Sequence, residues 1–302
     1  MRHVVHDRAD REEAFGGSGK RSAPPQAGKV WLVGAGPGDP ELLTRKAERL
    51  LREADVVAYD ELVSEEILAL ANPFAERIPV GRRARGCKHH EGRIHSAVIQ
   101  HALRGRMVVR LKGGDPMIFG RGGEEAEELQ AAGVPFEFVP GVTAALGAAS
   151  SQALSLTYRN VSPMVTLATA HPAKDDGGSW AEKLAATLPR SGTIVLYMGM
   201  GALDALARAL VAQGRSPETP AMVVSHATLR TERAVTGTLG DIAGRSDAAN
   251  LPLPGLVIVG EVVATSAALR LRRTRPARAP RTEMREASCP PSSAFGVRAP
   301  VR

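Results

Sequence analysis

The sequence predicts an α/β protein, and three features of its residue pattern support this class. Between residues 28 and 264, short apolar runs typical of buried strands alternate with segments of helical periodicity. Two of the apolar runs lead directly into glycine-rich turns, as strands do where they pass into helices. Pro140-Gly141 interrupts the series near its middle. We interpret the core as two similar halves, each an α/β domain.

Four strands and three helices are predicted in the first half. The first helix is indicated by the spacing of Leu42, Leu43, Ala47, Leu50 and Leu51. The third helix is expected to end at Gly133, which suits a helix C-cap. In chain order the predicted strands are 30–33, 56–59, 107–111 and 136–139, and the predicted helices are 41–53, 95–103 and 124–132.

The second half is predicted to begin with a helix of small residues over 143–152, a composition that suits close packing. Two longer helical patterns follow, and the second of them is expected to end at Gly214. The predicted strands are 164–169, 193–198, 221–224, 231–238 and 256–263, and the two helices are 180–188 and 203–213.

Composition places this core inside a longer chain. Of the 302 residues, 43% are hydrophobic and 24% are charged, which is within the globular range. The two ends are rich in charge, Gly, Ser and Pro, and we expect both to be disordered. The predicted organisation is an N-terminal extension over 1–27, domains over 28–140 and 141–265, and an Arg/Pro-rich tail over 266–302.

The net charge of +7 does not indicate a nucleic-acid-binding core. Residues 265–302 hold nine arginines against two glutamates, which equals the excess of the whole chain. Aromatic residues make up 4% of the chain, so stacking surface for single strands is scarce. We therefore expect no nucleic-acid partner for the core. The tail is interpreted as a solvated extension, with an anionic lipid or nucleic acid as the alternative partner.

Cysteine content and hydropathy indicate a cytoplasmic protein without membrane spans or a metal. Cys87 and Cys289 are too few for a disulfide framework or a tetrathiolate zinc site. His89 and His90 are adjacent, so they do not share one helical face on which to hold a metal. No apolar run approaches the ~20 residues of a membrane span, and the first residues do not resemble a secretory signal.

The first glycine-rich turn, Gly34-Ala35-Gly36-Pro37-Gly38-Asp39-Pro40, is similar to a dinucleotide-binding loop but differs in detail. Its third glycine comes one position early. Pro37 and Pro40 remove amide donors, and Asp39 adds negative charge where a phosphate would bind. The chemistry favours a ligand that is not a phosphate anion, and the alternative is a tight turn without a ligand.

The second glycine-rich turn is Lys112-Gly113-Gly114-Asp115-Pro116, which also lies between a strand and a helix. Gly113 and Gly114 permit close approach of a backbone or a ligand. Asp115 either contacts a ligand or closes an Asx turn before Pro116. Two such turns at strand ends predict a binding crevice at that edge of the sheet.

Together these segments resemble the tetrapyrrole methylases, the class III S-adenosylmethionine-dependent methyltransferases, and most closely the uroporphyrinogen-III C-methyltransferases among them. The similarity runs in family order over about residues 28–264 and is more specific than either glycine loop. It is carried by residues 33–44, 59–64, 109–116, 119–125, 139–145, 197–199, 235–239 and 259–263.

The resemblance implies two α/β domains with the active-site trough between them, a homodimer, and S-adenosylmethionine as methyl donor without a metal. It implies methylation of uroporphyrinogen III at C2 and C7 to give precorrin-2, the branch point to sirohaem and cobalamin. By motif position, the implied cofactor contacts are Pro37, Gly113, Gly114, Asp115, Ile118, Thr143, Ala144, Met198 and Ala227.

The resemblance also implies two catalytic residues, a proton acceptor at Asp60 and a proton donor at Arg82. Asp60 follows a predicted strand, where an aspartate more often caps the next turn, so its role rests on the resemblance. The family usually has Lys at the position of Arg82. Because arginine stays protonated, we interpret Arg82 as an anchor for a substrate carboxylate.

The substrate of this family carries eight carboxylates, so its trough should be basic. Arg82, Arg121 and Arg159 are the predicted substrate-binding residues. The family's Leu-Thr-His-Arg-Asp run is altered to Leu-Thr-Tyr-Arg-Asn over 156–160, which keeps Arg159 but loses a histidine and an acid. The altered run leaves a later corrin-ring methylase, such as a precorrin-4 C-methyltransferase, as the alternative activity.

Two alternative functions belong to other classes of protein. One is a binding protein that acts through its arginine-rich tail. The other is a nicotinamide-linked dehydrogenase, as in sirohaem synthases that fuse a dehydrogenase–chelatase module to a methylase. The 27 residues before the core and the tail after it are too short for that module, so we expect the methylase alone.

Overall fold

The computed structural model describes residues 27–81, 94–170 and 180–266. In these ranges the chain forms two five-stranded sheets, each covered by helices on both faces. This arrangement confirms the predicted α/β class with two domains. The N-terminal extension up to residue 26 and the tail from residue 267 lie outside the described residues.

The first sheet is parallel throughout and has the strand order β3-β2-β4-β1-β5. Because its strands are parallel, their carboxyl ends meet at one edge. Its strands are β1 (Val30–Gly34), β2 (Val56–Tyr59), β3 (Glu76–Pro79), β4 (Val108–Lys112) and β5 (Phe136–Val139). Its helices are α1 (Arg45–Glu53), α2 (Glu65–Leu68), α3 (Ser96–Leu103) and α4 (Gly122–Ala131).

The second sheet is mixed, with the order β6-β7-β10-β8-β9, and only β6 and β7 are parallel. The prediction of two similar halves is therefore wrong in topology. The strand β10 lies between β7 and β8 and is antiparallel to both, and β9 pairs antiparallel with β8 at the edge. The strands are β6 (Val165–Thr169), β7 (Thr193–Tyr197), β8 (Pro220–Ser225), β9 (Arg233–Thr238) and β10 (Gly255–Val259). The helices are α5 (Ala144–Ser151), α6 (Trp180–Thr187), α7 (Leu203–Ala212) and α8 (Ile242–Ala248).

Each sheet is buried on both faces. In the first sheet, Leu32 and Val33 point to opposite sides, one toward α3 and α4 and the other toward α1. In the second sheet, Leu196 faces α6 and α7, whereas Val195 faces α5. Alternate side chains of one strand thus enter different core layers, as expected for strands buried on both faces.

Two predicted boundaries are wrong for local reasons. The helix predicted over 41–53 begins at Arg45, because the Thr44 hydroxyl accepts a hydrogen bond from the Ala47 N–H at 3.1 Å and caps it. Pro40–Leu42 is a separate 3-10 turn. The strand predicted over 256–263 ends at Val259, because Gly260 has φ +148° and residues 262–266 are helical.

Three elements were not predicted. The helix α2 has only four residues, and β3 has two charged residues before Ile78 and Pro79, which is not a strand-like alternation. The helix α8 is built mostly from small and polar residues, with Ile242 and Ser246 as its buried positions. No helix within the described ranges is long and apolar enough to cross a membrane.

Candidate active site

The two glycine-rich turns lie in contact at the carboxyl ends of β1 and β4. Gly36 and Gly114 exchange backbone hydrogen bonds, with N···O distances of 3.1 Å and 2.8 Å. A Cβ atom on Gly34 would lie 2.6 Å from the Gly141 nitrogen and 2.7 Å from the Gly114 oxygen. Glycine is therefore required for this approach, and the two turns lie together at the carboxyl edge of the sheet, where the sequence predicts a binding crevice.

The first turn is fixed in place by its own side chain and by the second sheet. The Asp39 Oδ1 atom accepts a hydrogen bond from the Glu41 N–H at 2.9 Å. The Asp39 N–H donates to the Thr228 hydroxyl at 3.1 Å. Pro37 lies so close to α5 that a Cβ atom on Gly147 would come within 2.6 Å of it. The turn therefore carries a fixed carboxylate and lacks the amide nest that binds phosphate.

Asp115 is buried and connects the second turn to the loop before α5. Its Oδ1 atom accepts a hydrogen bond from the Met117 N–H at 2.8 Å, and its Oδ2 atom accepts one from the Gly141 N–H at 2.9 Å. The Asx turn is therefore present. Each oxygen keeps a further lone pair, so a ligand contact at Asp115 stays a prediction.

The second turn faces the start of α5. Gly114 has φ +67°, and the position of its missing Cβ lies 3.7 Å from the Ala144 nitrogen and 3.9 Å from the Thr143 Cα. Among the described residues, the Leu62 Cβ alone comes within 4 Å of the corresponding point on Gly113, at 3.3 Å. Predicted ligand contacts from both halves of the chain thus share one crevice.

Tyr197, at the end of β7, organises the second half of the crevice. Its hydroxyl forms a 2.7 Å hydrogen bond with the Thr143 hydroxyl and accepts one from the Ala145 N–H at 3.1 Å. Its ring lies 4.8 Å from the ring of Phe119. Burial raises the pKa of the Tyr197 hydroxyl, so the group stays protonated at neutral pH. Sequence analysis did not predict a site role for this residue.

Five of the eight non-glycine residues with positive φ in the described ranges lie in segments that border the same crevice. Non-glycine residues with positive φ are uncommon and are frequent at functional sites, where the surrounding structure enforces them. Met198 is half exposed in this conformation, at the point where β7 gives way to the next turn. The residues concerned are Phe119 (φ 53°), Arg121 (φ 59°), Met198 (φ 57°), His226 (φ 51°) and Thr228 (φ 68°).

The loop after β8 closes the crevice from the second sheet. Leu229 covers Gly38, where an added Cβ atom would lie 2.5 Å from it. Ala227 packs on the same apolar cluster as Ile118 and Ala144. The structure thus brings the predicted cofactor contacts of both halves to one place, although their binding role remains a prediction.

Asp60 lies directly after β2, at the same edge of the first sheet. Its N–H donates to the Leu111 carbonyl at 3.1 Å, which extends the pairing of β2 with β4. Its Oδ1 atom accepts a hydrogen bond from Arg110 Nη2 at 2.6 Å. The Asp60 side chain remains 28% exposed, so it is not sealed inside the core.

A buried network of charges stands behind Asp60. Arg110 donates from Nε and Nη2 to Glu125 Oε1 at 3.2 Å and 2.8 Å, and Lys112 Nζ donates to the same oxygen at 2.7 Å. All three side chains are less than 10% exposed. Within the described residues, Glu125 Oε2 is buried without a hydrogen-bond partner.

The network shifts the titration of both cations. Burial alone lowers the pKa of Arg110, but the charges of Asp60 and Glu125 outweigh burial and raise it above its ordinary value. Burial lowers the pKa of Lys112, and the charge of Arg110 lowers it further, against the opposing charge of Glu125. Arg110 is therefore a permanent cation beside Asp60.

The predicted substrate-binding arginines are placed differently from one another. Arg82 lies outside the described residues. Arg121 is exposed at the start of α4, where its Nε atom pairs with Glu124 Oε1 at 3.3 Å. Arg159 is exposed in a tight turn in which Tyr158 and Ser162 exchange backbone hydrogen bonds.

Sequence analysis missed Arg110, Glu125, Tyr197 and Thr228. A signal for the first existed, because charged residues are unusual in a central parallel strand and β4 carries two, Arg110 and Lys112. Within the described residues, no group of three or more His, Cys, Asp or Glu side chains is placed to hold a metal ion.

Comparison with known proteins gives a consistent result over this region. Residues 29–243 match the family of Tetrapyrrole (Corrin/Porphyrin) Methylases. The chain is 47% identical over 244 residues to a siroheme synthase from Stutzerimonas stutzeri, which covers 80% of this chain and 51% of the relative. The chain thus spans about half the length of the curated relatives it matches.

Solved structures with the same fold are similar along almost their whole length. Uroporphyrin-III-C-methyltransferase from Thermus thermophilus is 43% identical, with a TM-score of 0.67 over 80% of this chain and 98% of that chain. A structure of it complexed with S-adenyl homocysteine is 42% identical, with a TM-score of 0.66 over 79% of this chain and 100% of that chain. A cobalt precorrin-4 methyltransferase is 29% identical, with a TM-score of 0.67 over 78% of this chain and 95% of that chain.

Proposed function

Because the chain belongs to the tetrapyrrole (corrin/porphyrin) methylase family, we propose that it is an S-adenosylmethionine-dependent C-methyltransferase that methylates uroporphyrinogen III at C2 and C7 to give precorrin-2. The observation that carries the proposal is the 43% identity to a uroporphyrin-III-C-methyltransferase, extending over 98% of that chain. The product would supply sirohaem and cobalamin synthesis.

The crevice suits the cofactor better than it suits a nucleotide phosphate. S-adenosylmethionine, when bound, supplies an electrophilic methyl group on a sulfonium sulfur. Asp115 places a negative charge beside the two packed glycine turns. Pro37 and Pro40 lack the backbone N–H donors that bind a phosphate. The residues that would hold the cofactor are Pro37, Gly113, Gly114, Asp115, Ile118, Thr143, Ala144, Met198 and Ala227.

The substrate would be held by opposite charge at its rim and by apolar contact across its face. Arg121 and Arg159 are exposed and suit the substrate's carboxylates, and Arg82 has the same role by resemblance. Leu62, at 64% exposure, lies beside the second glycine turn and offers apolar surface to a macrocycle. Positioning of the pyrrole carbon is the main contribution expected from these contacts.

Asp60 would accept the proton that the pyrrole releases when its carbon is alkylated. One carboxylate within hydrogen-bond reach suffices for this step. The support is its place at the carboxyl edge of the sheet, its partial exposure and its ionised partner Arg110. Arg82 remains protonated, so it anchors a carboxylate and does not donate a proton.

A later corrin-ring methylase is the second candidate activity. It is favoured by the similarity to a cobalt precorrin-4 methyltransferase and by the altered run over 156–160. In that run Asn160 has φ 64°, a conformation that asparagine adopts more readily than most residues. The lower identity of 29% makes this activity the weaker candidate.

The assembly and location follow the family resemblance. We infer a cytoplasmic homodimer, with a small-molecule tetrapyrrole as the partner and no role for nucleic acid or membrane in the folded core. Light scattering of the purified chain tests the dimer directly: a mass near twice 31.9 kDa supports it.

The activity is tested by anaerobic incubation with uroporphyrinogen III and S-adenosylmethionine, followed by mass spectrometry of the product. We expect a product carrying two added methyl groups. Asp60→Asn should lower kcat by about 10²–10⁴-fold, the usual contribution of a general base, while S-adenosylhomocysteine still binds. Asp55→Asn is the matched control, because Asp55 precedes the same strand at the opposite edge and an amide oxygen can still accept from the Met107 N–H.

Each result discriminates between the candidates. Two methyl groups on uroporphyrinogen III establish the proposed activity, whereas unchanged uroporphyrinogen III together with methylation of a later corrin intermediate establishes the second candidate. Wild-type turnover by Asp60→Asn would show that Asp60 is not the base.

A further inference from the structure

The buried charge network assigns a task to a residue that the proposed mechanism does not yet use. Arg110 lies on β4, the central strand of the first sheet, with its side chain 6% exposed. Its Nη2 atom donates to Asp60 Oδ1 at 2.6 Å and to Glu125 Oε1 at 2.8 Å. One planar guanidinium therefore bridges the proposed base and a second, deeper carboxylate.

The guanidinium itself is immobilised on three sides. Its Nε atom also donates to Glu125 Oε1 at 3.2 Å, and its Nη1 atom donates to the Leu111 carbonyl at 3.1 Å. Lys112 Nζ holds the same Glu125 oxygen at 2.7 Å. Arg110 is therefore held by bonds that do not involve Asp60, so it can serve as a fixed partner for the Asp60 carboxylate.

Stability alone is a poor reason for this network. Charged side chains inside a sheet lose hydration, and apolar residues of similar size usually serve the core as well or better. Here two cations and one carboxylate are buried, and Glu125 Oε2 has no partner among the described residues. Of these four side chains, only Asp60 has appreciable exposure, at 28%. The network is therefore directed toward that carboxylate.

We propose that Arg110 is a positioning residue that orients the Asp60 carboxylate toward the substrate, with Glu125 fixing the guanidinium from behind. This inference rests on the proposed function, in which Asp60 is the base. Arginine is required because Nε and Nη1 of its rigid, planar guanidinium hold Glu125 and the Leu111 carbonyl while Nη2 bonds Asp60. A lysine ammonium, by contrast, is a point charge on a flexible stem.

The test is a double-mutant cycle on the full chain. Arg110→Lys keeps the charge and removes the fork, and a base displaced by about 1 Å costs up to ~10²-fold in rate. We expect kcat to fall by about 10–100-fold, with KM for uroporphyrinogen III and Kd for S-adenosylhomocysteine within about threefold of wild type. In an Asp60→Asn background the same substitution should cause no further loss, because its target is gone.

Arg106→Lys is the matched control. Arg106 also forks between a carboxylate and a carbonyl, with Nη1 on Glu76 Oε2 at 2.6 Å and Nη2 on the Asp55 carbonyl at 2.8 Å. It lies at the opposite edge of the same sheet, so its replacement should leave kcat unchanged. Glu125→Gln gives a second approach, because it removes the charge that holds Arg110 in place while preserving side-chain volume. It should also lower kcat, and it should cause no further loss when it is combined with Asp60→Asn.

The outcomes separate this inference from the proposed function. Losses in Arg110→Lys and Asp60→Asn that multiply would overturn the positioning role, as would wild-type kcat in Arg110→Lys. If Arg110→Lys no longer binds S-adenosylhomocysteine, Glu125→Gln takes its place in the double-mutant cycle. A wild-type kcat in Glu125→Gln would then overturn the inference. Failure of the wild-type chain to methylate uroporphyrinogen III overturns the proposed function and the inference with it.

Discussion

A single hydroxyl joins the start of α5 to the end of β7. Tyr197 Oη accepts the Ala145 N–H, one of the first amides of α5, which have no partner within the helix. The same oxygen is bonded to Thr143, the residue before the helix, whose own side chain does not cap it. Tyr197 therefore supplies the cap that the local sequence lacks and fixes the residues predicted to contact the cofactor.

Tyr197→Phe should destabilise the protein by about 1–3 kcal/mol, because it leaves a buried amide and a buried hydroxyl without a partner. The Kd for S-adenosylhomocysteine should rise as the start of α5 loosens. Urea denaturation and calorimetric titration measure the two effects. Tyr158→Phe is the matched control, since Tyr158 is 46% exposed, and it should change neither quantity. Equal stability of the two variants would contradict the capping role.

The residues that sequence analysis missed share one property, which is that their partners are distant in the chain. Arg110 and Asp60 are 50 positions apart, and Tyr197 and Thr143 are 54 apart. Each acts through a contact that exists only once strands from separate segments are adjacent. Asp115 was recognised because its Asx turn with Met117 is local, whereas its second bond, to Gly141, was not foreseeable.

At the scale of elements, α5 owes its position to a glycine in its middle. A Cβ atom on Gly147 would lie 2.6 Å from Pro37 Cβ and 3.2 Å from Thr228 Cγ2. The helix can therefore touch the first glycine turn and the loop after β8 together only because this side chain is absent. These three segments form the wall of the crevice.

Gly147→Ala should displace α5 from the first turn. Overpacking of this kind costs about 1–3 kcal/mol of unfolding free energy, and here it should also weaken S-adenosylhomocysteine binding. Gly244→Ala in α8 is the control, because no neighbouring side chain or backbone of the described ranges lies within 4 Å of its Cβ position. That variant should be neutral or stabilised by about 0.5–1 kcal/mol. Unchanged binding by Gly147→Ala would show that α5 does not form a wall of the site.

Element boundaries were predictable where a local signal marks them. The strands β2 and β5 have their predicted bounds, because each is a short run of mostly β-branched or aromatic residues between polar or turn residues. The helix α1 starts later than predicted because Thr44 caps it. The spacing of hydrophobic residues does not show where a capping residue lies. The end of β10 could not be read from composition, because the apolar residues continue past Gly260 into a helix.

At the scale of the whole molecule, the outer strands of both sheets carry paired carboxylates. Glu76 lies on β3 and Glu137 on β5, the two edges of the first sheet, and Asp241 follows β9 at an edge of the second. Hydrogen bonds from Arg106 lower the pKa of Glu76, and those from Lys29 and Lys46 lower the pKa of Glu137. The pKa of Asp241 is lowered most by a hydrogen bond from the Thr238 N–H and next by one from Arg245.

These three shifts predict how stability depends on pH. A carboxylate with a lowered pKa in the folded state contributes stability above its unfolded value, about 4.5 for Glu and 3.8 for Asp, and loses it as pH falls toward the folded value. The urea midpoint should therefore stay level from pH 7 to about 5 and decline below about 4.5. All three groups are near the surface, so each contribution is modest and should weaken in salt.

A triple variant, Glu76→Gln, Glu137→Gln and Asp241→Asn, should have a lower urea midpoint at pH 7 and a flatter decline below pH 4.5, because its unfolded and folded states then bind more similar numbers of protons. Raising the salt concentration should reduce the difference from wild type. An equally steep decline in the variant would show that acid sensitivity arises elsewhere, and the buried network around Glu125 would be the next group to test.

The control removes three exposed carboxylates away from these pairs: Glu127→Gln, Glu182→Gln and Glu218→Gln. That control should keep the wild-type slope, since the decline is assigned to paired carboxylates and not to net charge.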